Sequence, residues 1–284
     1  MGFDAAWLAA REPYDEAALD QEAVDAIRAW GAALSVDYVP TVVDLGSGTG
    51  AALRRAEHWL APRSIRAFAV DRDAELLAQA APFAPGTVIT PLVGDVLEPL
   101  DSLGGPTDGT VDLVMGHALA DLLPLDRLAA RVAALLRPGG LAHLALTYDG
   151  LTVFDPPADP DLDEKILKAF HREMDRPGRK VQHHGGSTAG RRLALALATA
   201  GLEVVVDAPS VWDVRASDGD GGRELLLGLV RFVNVPALAG RKRRIVGPSE
   251  WGLWRIARHL QIHAGTLTAR VGHRDVLARR PLDS

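Results

Sequence analysis

The strongest constraint on the fold of this chain is local. Val42, Val43, Asp44 and Leu45 give an apolar strand signal that runs directly into Gly46, Ser47, Gly48, Thr49 and Gly50, and a helical stretch from Gly50 to Leu60 follows at once. Glycine admits positive φ and lets a ligand approach the backbone, while unpaired N–H groups at a helix start attract a carboxylate or a phosphate. Strand, glycine turn and helix in this order point to an α/β sheet that binds a nucleotide-type ligand. The next hundred residues keep the rhythm. Apolar runs at Thr41 to Leu45, Ile65 to Val70, Thr87 to Val93, Val111 to Met115 and Leu141 to Thr147 alternate with helical stretches at Gly50 to Leu60, Ala74 to Ala81 and Leu125 to Leu136. This is the pattern of a parallel sheet covered on both faces. The turn Arg137-Pro138-Gly139-Gly140 is expected to close the last of these helices.

The flanking segments read differently. In the first 38 residues Trp7, Leu8, Tyr14, Ala18, Val24, Ile27 and Leu34 recur at helical spacing, with Pro13 expected to interrupt them. Residues 151–186 carry Pro156, Pro157, Pro160 and Pro177, then an amphipathic stretch with Ile166, Leu167 and Phe170, read as an insertion over the carboxyl edge of the sheet. Ser187 is placed to cap a helix that runs to Ala200 and stops at Gly201. Val204 to Val206 and Glu224 to Val233 look like an antiparallel strand pair joined by the polar loop Ser217 to Gly222, and the chain from the basic run Arg241, Lys242, Arg243, Arg244 onward looks like a helical tail. The expected organisation is a helical cap at 1–38, a sheet domain at 39–236 with its insertion at about 151–186, and a helical extension at 237–284.

Composition narrows the function classes. A 284-residue chain with 48% hydrophobic residues can bury a large core, and a net charge of −6 argues against a broad nucleic-acid surface, which needs clustered Lys and Arg. Without cysteine there is no disulfide, thiolate nucleophile or thiolate zinc site. The amino terminus shows no apolar run of signal-peptide or membrane length, so a cytoplasmic protein that does not engage a membrane is expected; a homodimer stays open.

The choice of nucleotide is not settled by the glycines alone. Gly46, Gly48 and Ala51 satisfy the dinucleotide pattern G-x-G-x-x-G/A, and Asp71 follows at the spacing of that pattern's acidic residue. Asp44 ahead of three glycines ending at Gly50, however, resembles the E/D-x-G-x-G-x-G signature of class I S-adenosylmethionine-dependent methyltransferases. Later segments resemble the same family in order: Asp71 within Ala69-Val70-Asp71-Arg72-Asp73, the pair Gly94-Asp95, the strand Val111-Asp112-Leu113-Val114, and the turn Arg137 to Gly140. The resemblance covers residues 41–233 and implies a seven-stranded Rossmann-like methyltransferase sheet with helices on both faces and its last strand antiparallel, expected at Glu224 to Val233. It implies S-adenosylmethionine as the cofactor. It also assigns Asp44 to the methionine end, Asp71 to the ribose hydroxyls and Asp95 to the adenine amine, within a contact set of Asp44, Gly46, Ser47, Gly48, Gly50, Asp71, Arg72, Asp95, Val96, Gly116 and His117. A narrower similarity, in Trp7-Leu8-Ala9-Ala10-Arg11-Glu12-Pro13, His117 to Leu122 and Tyr148-Asp149-Gly150, is to a bacterial group of class I methyltransferases of unassigned substrate.

In a doubly wound sheet the ligand sits beyond the carboxyl ends of the strands, so Gly116, His117, Asp121, Tyr148 and Asp149 are expected at the reacting end. His117 is a candidate general base, or else a hydrogen-bonded structural residue at the strand end; Asp121 is a candidate for orienting the acceptor or a partner histidine, or else a helix-start carboxylate; Tyr148 is a candidate pocket wall, or else part of a turn. A sulfonium is already a strong electrophile, so positioning matters more than acid or base help. Asp155-Pro156-Pro157 resembles the D-P-P-Y motif of adenine methyltransferases but lacks its aromatic residue and is read as a loop. His171, His183, His184, His263 and His273 show no metal spacing, and no metal is expected; Trp212, Trp251 and Trp254 are read as core or lid aromatics. The leading expectation is methyl transfer to an O, N or C atom of a small molecule. The alternatives are a nucleic-acid or protein methyltransferase, suggested by Arg241 to Arg244, and a cofactor-binding interaction protein without activity.

Overall fold

The computed structural model describes residues 5–80, 87–175, 185–233 and 245–282. Strands β1 (Thr41–Leu45), β2 (Arg66–Asp71), β3 (Val88–Val93), β4 (Val111–Met115), β5 (Leu136–Asp155), β6 (Glu203–Arg215) and β7 (Thr268–Arg279) form one sheet. Their order is β3-β2-β1-β4-β5-β7-β6; β1 to β5 run parallel, and β7 pairs antiparallel with both β5 and β6. Val42 and Leu113 pack into the core on one face of the sheet, Val43 and Val114 into the core on the other. Both faces being buried explains why these strands read as unbroken apolar runs.

Helices α1 (Ala5–Ala18) and α2 (Gln21–Ala33) precede the sheet. Pro13 lies inside α1, and the break falls instead at Asp20, whose carboxylate caps α2 by accepting the Ala23 N–H at 2.9 Å. Helix α3 (Ala51–Leu60) opens from the glycine turn, and α4 (Ala74–Leu77) is a short turn capped by Asp73. Helix α5 is Leu125–Leu135, α6 Pro160–Met174, α7 Ala189–Thr199, α8 Asp220–Phe232 and α9 Pro248–His263. No helix among the described residues is long and apolar enough to cross a membrane.

Several expectations are corrected. Glu224 to Val233 is not a strand but most of α8: Leu225, Leu226, Leu229 and Val230 are buried, the one-sided spacing of a helix. The strand that completes the sheet is β7, further along, in the stretch read as a helical tail. Its Arg270, His273, Arg274 and Asp275 break up the apolar pattern, because Asp275 is buried at hydrogen-bond positions and Arg274 and Arg279 pair with Asp207 and Glu203 of β6. Residues 151–155 continue β5 rather than open an insertion. Arg137 to Gly140 lie within the first residues of β5, where its pairing with β4 shifts register. Ser187 does not cap α7; its N–H and hydroxyl both donate to Asp175. Ala81, Pro177, His183, His184 and Arg241 to Arg244 lie outside the described residues.

Candidate functional site

The carboxyl ends of β1, β2 and β4 converge on the glycine turn. Gly46, Gly48 and Gly50 all adopt positive φ, at 70°, 53° and 81°. A side chain would be strained there, and at Gly46 it would also meet Leu119 at 2.7 Å. The turn is fixed from below: the Gly46 and Ser47 N–H groups both donate to the Val70 carbonyl, at 2.8 and 3.0 Å. Asp71, at the end of β2, accepts the Gly48 N–H at 2.8 Å and the Asp73 N–H at 3.0 Å, so its carboxylate shapes the turn it adjoins. Gly50 offers no side-chain cap, which leaves the first N–H groups of α3 for a ligand.

Asp44 is 1% exposed, and its Oδ2 has no hydrogen-bond partner. Burial pushes this carboxyl up to about 7 against the Ser47 hydroxyl beside it; the Asp71 carboxylate adds to the rise, and Arg55 and Arg54 oppose it. A buried carboxyl with an unused oxygen at the mouth of a glycine turn fits a ligand that brings a cationic or N–H donor. Further along the same edge, Arg72 forms an ion pair with Asp95 at 2.5 Å. Against the upward push of partial burial, the Leu97 N–H and the Arg72 guanidinium hold Asp95 below the usual carboxylate range. Val96 beside it is buried.

After β4, Gly116 leaves no room for a side chain beside Leu144, which would be met at 2.9 Å. His117 follows, buried, with Nδ1 3.3 Å from Arg55 and Nε2 3.1 Å from Nδ1 of His143. A guanidinium has no lone pair to offer, so Nδ1 of His117 accepts and its Nε2–H donates to His143. Burial, with the neighbouring His143 and Arg55, holds His117 well below its usual value, and burial with Arg55 holds His143 down at about 3. Both rings are therefore neutral at ordinary pH, and neither nitrogen of His117 stands free to take a proton from an acceptor.

Asp121 has its carboxyl raised to about 6 by burial, with Arg11 and the Tyr148 N–H among the groups opposing the rise. The Tyr148 hydroxyl lies 2.6 Å from Nε2 of His171 and 2.9 Å from the Thr152 hydroxyl, and burial raises it to about 12. Asp149 anchors the start of α7 by accepting from the Arg191 backbone and guanidinium. His273 packs its ring 4.5 Å from that of Trp212, and among the described residues no three metal-ligating side chains gather. Trp251 and Trp254 donate to the Val233 carbonyl and to Asp163, tying α9 in place, and the Pro156 carbonyl accepts from Arg258 and Gln261.

The structure adds a wall that sequence reasoning did not place. Leu8 and Arg11 of α1 line the cleft together with Asp44, the glycine turn and His117; Leu8 approaches to 3.3 Å of where a Gly48 side chain would start. Helix α1 is fastened to α3 by Glu12 with Arg54, Asp15 with Arg55 at 3.8 Å and Glu16 with Arg55 at 2.8 Å. Arg54 also donates to the Thr49 carbonyl of the turn at 2.9 Å. The acidic spacing Glu12, Asp15, Glu16 on one helical face is the signal that marks such docking. A larger, more open hollow beside Gly109, Gly201 and Arg280 lies where β4 begins; Arg280 there donates to the Ala133 and Leu136 carbonyls, and the strand ends that gather ligands in this architecture are on the other side.

Comparison with known proteins agrees with this geometry. Residues 42–140, from β1 to the start of β5, match the family described as Methyltransferase domain. No curated protein matches the chain. Among solved structures, a protein of Bacillus halodurans C-125 described as a methyltransferase is 16% identical with a TM-score of 0.52, over 91% of this chain and 98% of the other. One of Anaeromyxobacter dehalogenans described as a type II methyltransferase is 22% identical, also at 0.52, over 92% and 97%. At such identities the likeness is one of fold. The chain thus carries a methyltransferase domain at residues 42–140, on the sheet order of the Rossmann-like methyltransferase fold, with S-adenosylmethionine as its cofactor.

Proposed function

We propose that the enzyme methylates an O, N or C atom of a small molecule. The observation that carries this reading is the closure of the reacting end: His117 and Tyr148 are buried. Such a site suits a compact acceptor better than a strand of nucleic acid, and the net charge of −6 points the same way. On this reading α1 and α2, helix α6 and α9 enclose an acceptor beside the sheet.

Asp44 receives the ammonium of the cofactor's methionine end, and the glycine turn lies under that end. Asp71 and Arg72 face the ribose, Asp95 and Val96 the adenine, and Gly116 lies at the end of β4 on the side of the methyl group. Bound there, S-adenosylmethionine supplies an electrophilic methyl. His117, locked between Arg55 and His143, keeps the loop after β4 in place, while Asp121 and Tyr148 orient the acceptor in line. At neutral pH Asp121 is ionised and holds a hydroxyl or amine proton by hydrogen bonding.

Thermal melting with S-adenosylhomocysteine, and separately with NAD, tests the cofactor half. A ligand at about 100 times its Kd adds ~2.7 kcal/mol. A rise with S-adenosylhomocysteine alone that Asp71→Ala removes is expected; a rise with NAD alone refutes it. Turnover of labelled S-adenosylmethionine on a small-molecule extract against nucleic acid and protein fractions tests the acceptor half, and methylation confined to either macromolecule refutes it.

A further inference from the structure

We infer that Arg11 of α1 holds the carboxylate of the cofactor's amino-acid end, so that the first helix is part of the cofactor site. This rests on the reading of the cleft given above. Arg11 lines that cleft beside Asp44 and the glycine turn. Its side chain is 13% exposed, a burial that a guanidinium accepts only with partners, yet Nε alone is bonded, to Asp15 at 3.0 Å. Neither terminal nitrogen has a hydrogen-bond partner among the described residues. The guanidinium is held flat by two indoles, 5.1 Å from the Trp7 ring centre and 5.9 Å from that of Trp212. Trp7 in turn lies against Gly228 of α8, where any side chain would collide with it.

A planar fork fixed by stacking and by one carboxylate, with its two outer nitrogens open to a cleft, is suited to bidentate capture of a second carboxylate. Across the same cleft stands the opposite charge type, Asp44 with its unpartnered Oδ2. An acidic group and a basic group with free valences on one small cleft match a zwitterion: ammonium to Asp44, carboxylate to Arg11. The nearby cations are otherwise engaged, Arg54 with Glu12 and the Thr49 carbonyl, Arg55 with Glu16, Asp15 and His117. The competing anion site is the uncapped start of α3.

The test is titration calorimetry on the full chain with S-adenosylhomocysteine and with its decarboxylated analogue, which keeps the amine. Charge-assisted bonds from Arg11 predict that the protein prefers the intact ligand by about 10- to 100-fold. Arg11→Met should bring the two ligands within about threefold, and Arg11→Lys, a point charge without a fork, should restore part of the preference. Asp44→Asn should weaken both ligands and leave the preference standing. A preference that survives Arg11→Met and Arg11→Gln overturns the inference and assigns the carboxylate to the start of α3. Binding of S-adenosylhomocysteine without any preference overturns it alone, whereas failure to bind either ligand refutes the cofactor site itself. Melting curves of each variant check the fold, and if Arg11→Met does not fold, Arg11→Lys and the loss of preference with added salt carry the same comparison.

Discussion

Asp44→Asn should make the free protein more stable and a worse binder, and the size of the first effect follows from the burial of one carboxyl. In the folded chain Asp44 is held at about 7, against 3.8 for an ordinary aspartate. A carboxyl raised in this way contributes its full share to stability only below the unfolded value, and that share is lost as the pH rises through the folded value. Above both, the folded state carries a penalty of about 4 kcal/mol, at ~1.4 kcal/mol for each tenfold change in proton affinity. An asparagine at this position does not ionise, so the variant escapes the penalty. Thermal melting in a series of buffers should show Asp44→Asn several degrees more stable than the parent near pH 8, at ~2–4 °C per kcal/mol, with the gap closing towards about pH 4. Ligand binding should change in the opposite sense. The cofactor's ammonium stabilises the ionised carboxyl, so the parent's affinity for S-adenosylhomocysteine should fall as the pH drops below about 7, while the variant binds more weakly with a flatter profile. If the stability gap between the two proteins is the same at both ends of the pH range, Asp44 does not titrate in the folded state as described and the argument fails.

Arg55→Met removes the bonds to Glu16, Asp15 and His117 from a residue 8% exposed, and should cost about 3 kcal/mol in urea unfolding and speed amide exchange along α1; unchanged exchange there would show that α1 is held by apolar packing alone. Asp275→Ala strands three donors, the Leu146 N–H, the Asp20 N–H and the Ser210 hydroxyl, and should destabilise the chain by about 3 kcal/mol or more; a loss under about 1 kcal/mol would mean that water replaces the carboxylate. Gly48→Ala forces a side chain into left-handed backbone, costing about 1–2 kcal/mol by equilibrium unfolding, and should also depress S-adenosylhomocysteine affinity because the turn must deform; a variant with parent-like affinity would place the ligand away from Gly48.

What the sequence made legible was local. Asp44, the three glycines and the start of α3 are contiguous, so their geometry is written in one stretch of chain, and β1 and β4, buried on both faces, read as the apolar runs they are. Two elements were hidden by tertiary context. Helix α8 presents Leu225, Leu226 and Leu227 in a row, which mimics a strand until the helical face is known. Strand β7 carries charges that make sense only once Asp275 is seen bonding Ser210 of β6 and the Leu146 backbone of β5. The site divides in the same way. The partners of His117 are Arg55 on α3 and His143 on β5, and no spacing rule connects them. Arg11 precedes the glycine turn by a whole helix and more, and only the packing of α1 on α8 and β6, with its ion pairs to α3, brings it to the cleft.

The place of β7 in the sheet has a consequence for how the chain is made. β7 lies between β5 and β6, yet it is the last of the seven strands in the sequence. Until residues 268–279 have left the ribosome, β5 and β6 each keep an open edge whose partner strand is missing. Such edges pair readily with other chains. Assembly of the whole molecule thus waits on its final strand, and Asp275 closes it by joining β5, β6 and the cap of α2 through one carboxylate. Emergence of β7 from the exit tunnel, rather than completion of the glycine turn, is the step on which closure of the sheet depends.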